Sequence, residues 1–260
     1  MKDYLTVAGG GYALPGGIDQ FLALHDLVET TKPPSGPNFA ILFLDYDTTP
    51  QAKYPHQLSQ AVQLLSYALI NLKYSPENII LGGDSAGANL TMALLGHLLH
   101  PHPQHELVPK IPLLGGSRFR GVMVLSPWIT FSTSADSFKR NATKDLCTTT
   151  ALDRWSKSFM GDAKEDPYNQ PLSAPEGWWA SCSGIVQDVF IGGGKDEVMI
   201  DDIVALGKQI KKEWKGGDGV GGVEVVVVPD EAHDSFFADR LFKYIQMKVE
   251  VRTWMKKILA

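Results

Sequence analysis

The stretch Asn78-Ile79-Ile80-Leu81-Gly82-Gly83-Asp84-Ser85-Ala86-Gly87-Ala88-Asn89-Leu90 holds a strand, a tight turn and the start of a helix in succession. Ile79, Ile80 and Leu81 form a short apolar run bounded by turn-forming residues, the pattern of a strand buried on both faces. After the turn, apolar residues recur at Leu90, Ala93, Leu94 and Leu98, the spacing of a helix that packs on one side. Between them, Gly83-Asp84-Ser85-Ala86-Gly87 fits G-x-S-x-G, in which a serine occupies a strained strand-to-helix turn and its hydroxyl projects above a sheet. Alone, that pattern is weak. Its position between a strand and a helix is what gives it meaning.

Outward from this unit the same rhythm continues. Apolar runs at 4–8, 40–45, 78–82, 121–125, 186–192 and 223–228 read as strands, and helical patterns fall at 17–30, 55–72, 86–100, 201–214 and 235–258. Near-strict alternation of this kind predicts a mostly parallel sheet of about six strands with crossover helices on both faces. One stretch breaks the alternation. Residues 127–183, after the fourth strand, set Trp128, Phe131, Trp155, Phe159, Trp178 and Trp179 among Ser, Thr, Asn, Asp and Pro. Loops this long in compact domains are usually functional or disordered, so the stretch reads as a cap inserted in a single domain spanning 1–260; the plainer alternative is a surface excursion with its own satellite core. The glycine run 216–222 lies between a helix and a strand, whereas a phosphate loop lies between a strand and a helix, so a flexible turn is expected there.

A serine is a poor nucleophile until a base accepts its proton, and the base needs an acid to fix its tautomer and stabilise the imidazolium. On the strand-elbow-helix architecture these residues follow in the chain order Ser, Asp or Glu, His. His233 follows the last strand in the loop Pro229-Asp230-Glu231-Ala232-His233-Asp234, where that order needs the base. For the acid, Gly193-Gly194-Lys195-Asp196-Glu197 places two carboxylates just past the fifth strand; Asp196 is the first choice, Glu197 its adjacent alternative, and helix capping the structural role either can fill. Gly9-Gly10-Gly11-Tyr12 after the first strand suits an oxyanion hole, with the N–H groups of Gly10, Gly11 and Ala86 as donors. His97, His100, His102 and His105 cluster locally, but prolines interrupt them and no ligand geometry follows, so neither metal nor cofactor is expected.

The totals agree with a small-molecule enzyme. Of the 260 residues, 44% are hydrophobic and 20% charged, ordinary for a globular chain, and a net charge of −5 leaves no electrostatic footprint for nucleic acid or an anionic membrane. Cys147 and Cys182 are read as free thiols in a reducing compartment. With no leader-like run at the N-terminus and no stretch near the roughly 20 apolar residues of a membrane span, a cytoplasmic protein is expected.

These motifs together resemble the hormone-sensitive-lipase-like family of carboxylesterases, the α/β-hydrolase fold-3 group, and its fungal members in particular. The resemblance covers nearly the whole chain and rests on Gly9-Gly10-Gly11-Tyr12, Leu44-Asp45-Tyr46 with Tyr54-Pro55, Gly83-Asp84-Ser85-Ala86-Gly87, Ser126-Pro127-Trp128, Asp166-Pro167-Tyr168, Asp196-Glu197 and Ala232-His233. It implies an α/β-hydrolase fold and a serine hydrolase of small carboxylic esters. Gly10, Gly11 and Ala86 would be the oxyanion donors, and a mobile cap would choose the acyl or alcohol group. The chain departs from the family at Ala8, where the family has His, and after Tyr46, where Asp47-Thr48-Thr49-Pro50-Gln51 replaces Arg, Leu, Ala, Pro and Glu. The family also has a helical segment and two strands before the glycine loop, and this chain begins almost at that loop. On the family's strand order the run Ala40-Ile41-Leu42-Phe43-Leu44 would then form a bare sheet edge, from which a homodimer is expected.

Three functions are weighed on these residues. In the first, an esterase forms an acyl-enzyme on Ser85, with His233 as the proton shuttle and Asp196 orienting it. In the second, the same site runs a non-hydrolytic cyclisation, condensation or elimination in secondary metabolism, which the altered oxyanion loop would suit. The third is a binding protein on a hydrolase scaffold, as in the plant gibberellin receptors that resemble this family; those lack a complete triad, so Ser85, Asp196 and His233 favour an enzyme. Aromatic and apolar placement beside the motifs offers Tyr12, Leu14, Trp128, Trp155, Phe159, Trp178 and Phe236 as pocket residues.

Overall fold

The computed structural model describes residues 2–31, 39–111, 116–216, 221–238 and 245–259. Six parallel strands form one sheet in the order β2-β1-β3-β4-β5-β6: β1 Lys2–Val7, β2 Phe39–Leu44, β3 Ile79–Asp84, β4 Phe119–Leu125, β5 Val186–Gly194 and β6 Gly222–Val228. The helices that connect or flank them are α1 Ile18–Thr31, α2 His56–Ser66, α3 Ser85–Leu99, α4 Asp136–Arg140, α5 Thr149–Met160, α6 Cys182–Ile185, α7 Ile200–Glu213 and α8 Gln246–Leu259.

Strand alternation sorts the core into two layers. Ile79, Leu81, Val122, Val124, Val189 and Ile191 face one cluster, with Leu58 and Leu65 of α2, Leu90 and Leu94 of α3, and Ile203 and Leu206 of α7. Their strand neighbours Ile80, Met123 and Phe190 face the other, with Leu24 and Leu27 of α1 and Val251, Trp254 and Met255 of α8. Burying each such side chain contributes on the order of 1.5–3 kcal/mol, so a sheet covered on both faces is strongly favoured over one face left wet. Every residue of β3 is buried, and β3 carries Ser85 at its carboxyl end.

Two helices differ from their expected bounds. The helix expected over 55–72 is α2 followed by a π-helical turn, Tyr67–Asn71, where the hydrogen bonding lengthens and the apolar stripe shifts. Residues 235–237 of the helix expected over 235–258 are in a turn instead, because the chain must carry His233 back over the sheet; α8 begins at Gln246, and 239–244 lie outside the described residues. Between β4 and β5, Trp128, Phe138, Leu152, Phe159, Tyr168 and Trp179 belong to the same cluster as α2 and α3. Residues 217–220 of the glycine run lie outside the described residues.

Candidate active site

The nucleophile turn is built by close approach. Ser85 sits at φ 51°, a left-handed conformation that costs a non-glycine residue energy and projects its side chain above the sheet. A methyl group at Gly83 would collide with the Gly87 backbone, and one at Gly87 with the Val7 and Ala8 carbonyls, so the first turn of α3 presses directly on β1. Ser85 is 7% exposed, and its carbonyl accepts the Trp128 N–H at 3.1 Å, which ties the elbow to the chain leaving β4.

His233 reaches the elbow from the loop after β6. Its Nε2 lies 2.9 Å from Ser85 Oγ and its Nδ1 3.2 Å from Glu197 Oε2. A carboxylate can only accept, so Nδ1 carries the proton and Nε2 is left to receive one from Ser85. Glu197 is fully buried; its other oxygen, Oε1, accepts Ser126 Oγ–H at 2.7 Å and the Gly194 N–H. Such a surround fixes the carboxylate and through it the ring.

This corrects the choice of acid. Asp196 does not face His233; it turns outward onto Lys144 Nζ at 2.8 Å, while its own N–H donates to the Glu231 carbonyl at 3.0 Å. Lys195 and Asp196 form a turn at the end of β5, which leaves Asp196 on Lys144 and carries Glu197 inward to Ser126 and the Gly194 N–H. The apolar run Val198-Met199-Ile200 directly after Glu197 was the sequence signal for it. Other groups were missed because their partners are distant in the chain. Asp145 accepts the Val198 N–H at 2.6 Å and the His233 N–H at 3.1 Å, so one carboxylate joins the acid loop to the base loop. Asn141 donates to the Lys195 and Glu197 carbonyls at 3.0 and 2.7 Å.

The glycine loop crosses beside Ser85. Gly10 and Gly11 have φ of 118° and 60°, and the Gly10 carbonyl accepts the Ala13 and Leu14 N–H groups at 3.0 and 2.9 Å. Among the described residues, the N–H groups of Gly10 and Gly11 make no hydrogen bond. Asp84 anchors the loop from beneath: it accepts Gln20 Nε2–H at 2.7 Å and the Gly9 N–H, and a side chain at Gly9 would strike it. Burial raises the Asp84 carboxyl to about 6 despite those donors.

A family model described as alpha/beta hydrolase fold matches residues 19–237. The chain belongs to that family. An esterase of Acinetobacter venetianus is 28% identical over 200 residues, 75% of this chain and 57% of that protein. Steryl acetyl hydrolase 1 of Saccharomyces cerevisiae is 31% identical over 124 residues, 46% of this chain and 25% of its own. The chain thus spans little more than half of one curated relative and a quarter of the other. Among solved structures, an esterase from the bacterial hormone-sensitive lipase family superposes with a TM-score of 0.77 at 23% identity, covering 100% of this chain and 77% of that one. Carboxyl esterase 2 of Tuber melanosporum gives 0.77 at 18% identity, with 99% and 77% covered.

In this alpha/beta hydrolase the expected pocket residues divide. The Trp155 ring lies against Gly11, and Leu14 is exposed beside Gly10, so both flank the glycine loop. Tyr12 stacks on Phe159 with centroids 3.8 Å apart and donates to Asn89 Oδ1 at 2.6 Å; with the buried Trp128 they form the floor under the loop. Phe236 packs in the opposite layer, with Phe237. Trp178 packs against His100, past the far end of α3. At a rise of 1.5 Å per residue that end is roughly 20 Å from Ser85, so Trp178 is not part of this site. Among the described residues no group of three His, Cys, Asp or Glu side chains could hold a metal ion, and no helix is long and apolar enough to cross a membrane. Cys147 and Cys182 are free thiols.

Proposed function

We propose that the chain is a serine carboxylesterase that cleaves a small-molecule ester through an acyl-enzyme on Ser85. The observation that carries this reading is the alignment of Glu197 Oε2, His233 and Ser85 Oγ at 3.2 and 2.9 Å. His233 Nε2 takes the Ser85 proton as Oγ attacks the carbonyl carbon, and the imidazolium then gives that proton to the departing alkoxide. Water repeats the sequence on the acyl-enzyme. Gly10, Gly11 and Ala86 would hold the oxyanion, and one such donor is worth about 3–4 kcal/mol of barrier. The Trp155 ring lies against Gly11, where it would crowd a long acyl group, and a preference for short acyl groups accords with the similarity to a steryl acetyl hydrolase.

Short and medium p-nitrophenyl esters test this with the purified chain and Ser85→Ala. The expected result is turnover in the parent, fastest with the short chains, and loss by at least about 10³-fold in the variant. A folded parent that hydrolyses none of them contradicts the esterase reading and moves the site to base-driven chemistry on His233.

We also propose that β2 pairs with β2 of a second copy. It is an edge strand whose Ile41, Leu42, Phe43 and Leu44 are only partly buried, and unpaired edges of this kind recruit strands. Sedimentation should give twice the chain mass; a strict monomer rejects the pairing.

A further inference from the structure

The esterase reading asks His233 Nε2 to be empty when Ser85 offers its proton, yet this nitrogen has a second neighbour. Asp234 Oδ2 lies 3.3 Å from Nε2, on the same side as Ser85 Oγ. The carboxylate is held there by its backbone. Asp234 is left-handed at φ 52°, its N–H donates to Ser126 Oγ at 3.1 Å, and its carbonyl accepts the Phe237 and Ala238 N–H groups at 2.9 and 3.1 Å. Its Oδ1 is buried and, among the described residues, has no hydrogen-bond partner.

The two ring nitrogens therefore face carboxylates on opposite sides. Glu197 requires a proton on Nδ1. In the neutral ring this leaves the Nε2 lone pair directed at a carboxylate oxygen, which is repulsive. A proton between Nε2 and Asp234 turns the contact into a charge-assisted hydrogen bond.

We propose that Asp234 is a positioning residue for the catalytic proton: it retains a proton on Nε2 in competition with Ser85, and so determines the pH at which His233 is free to act as base. The inference rests on the reading of His233 as that base. The groups facing the ring are Glu197 from the loop after β5, Asp234 from its own loop, Ser85 and Asp84 from the elbow, the Cys147 thiol, and Asp145 on the His233 N–H. Burial disfavours the imidazolium, but Asp234 first, then Cys147 and Glu197, outweigh it and hold His233 well above its ordinary range. Burial likewise raises the Asp234 carboxyl while His233 pulls it down, so the pair holds a shared proton more tightly than either group would alone. The sign follows. A base with a raised pKa is idle when protonated, so activity is lost as pH falls through a value above the usual ~6.5 of imidazole.

Asp234→Gly tests this and suits the backbone, because glycine adopts a left-handed φ without strain; Asp234→Asn provides a second variant of nearly the same shape. The pH profile of kcat/KM for p-nitrophenyl acetate is read beside the titration of the downfield Nδ1–H proton of His233 by NMR, which needs no turnover. The acidic limb and the NMR titration should both move to lower pH by about one unit or more in each variant, with activity at pH 6 rising about tenfold. Variants that hydrolyse with an unmoved limb and an unmoved titration overturn the role of Asp234. A shifted titration in a protein that hydrolyses no ester upholds the pair and overturns the esterase reading alone.

Discussion

Among the described residues, two places combine a hydroxyl, an imidazole and a carboxylate, and one of them is arranged as a base-activated nucleophile. At the elbow the carboxylate of Glu197 takes the far nitrogen of His233, and the Ser85 hydroxyl meets the near one. On the other side of Phe159, Tyr54, His102 and Asp166 contain the same three kinds of group in another order. Tyr54 donates to Asp166 Oδ2 at 2.8 Å, so its oxygen accepts from His102 Nε2 at 2.9 Å, and His102 Nδ1 accepts the Gln104 N–H at 3.2 Å. There the carboxylate is on the hydroxyl and the ring has no free lone pair. Burial lowers His102 and raises Tyr54, which Asp166 raises further, so neither is poised for proton transfer. The chemistry depends on which atom the carboxylate touches.

Substitutions at the two places sharpen this difference. Glu197→Gln removes the acceptor that sets the His233 tautomer and should lower kcat by about 10³- to 10⁴-fold, with the fold retained by circular dichroism; a loss under tenfold would show that Glu197 does not orient the base. Tyr54→Phe should leave hydrolysis within about twofold of the parent but lower stability in urea by about 1–3 kcal/mol, because Asp166 Oδ2 loses its donor. A large loss of activity there would break the comparison. The smallest effect belongs to Asp196→Asn. Its partner Lys144 is half exposed, so less than about 1 kcal/mol of stability and little activity should be lost.

How far the chain could be read without its structure follows from the same physics. Apolar runs reported the six strands, most plainly β3, which is buried on both faces, and the elbow was legible because Gly83, Ser85 and Gly87 fall within five residues. His233 was found from chain order. Glu197 was only half legible: Asp196 and Glu197 differ by one position, and which turns inward is decided by Ser126, 71 residues upstream of Glu197. The supports at Asp145 and Asn141 gave no local signal, since each acts on the backbone of a distant loop. Trp178 was misplaced because aromatic content marks a packed segment and does not say which end of α3 it covers.

The most direct test of the account is covalent labelling by a fluorophosphonate at neutral and alkaline pH, with peptide mapping of the modified residue in the parent, Ser85→Ala and Glu197→Gln. The account predicts a single adduct on Ser85, formed faster at alkaline pH, strongly slowed in Glu197→Gln and absent in Ser85→Ala. A folded parent in which Ser85 stays unlabelled, or labels equally fast without Glu197, would contradict it.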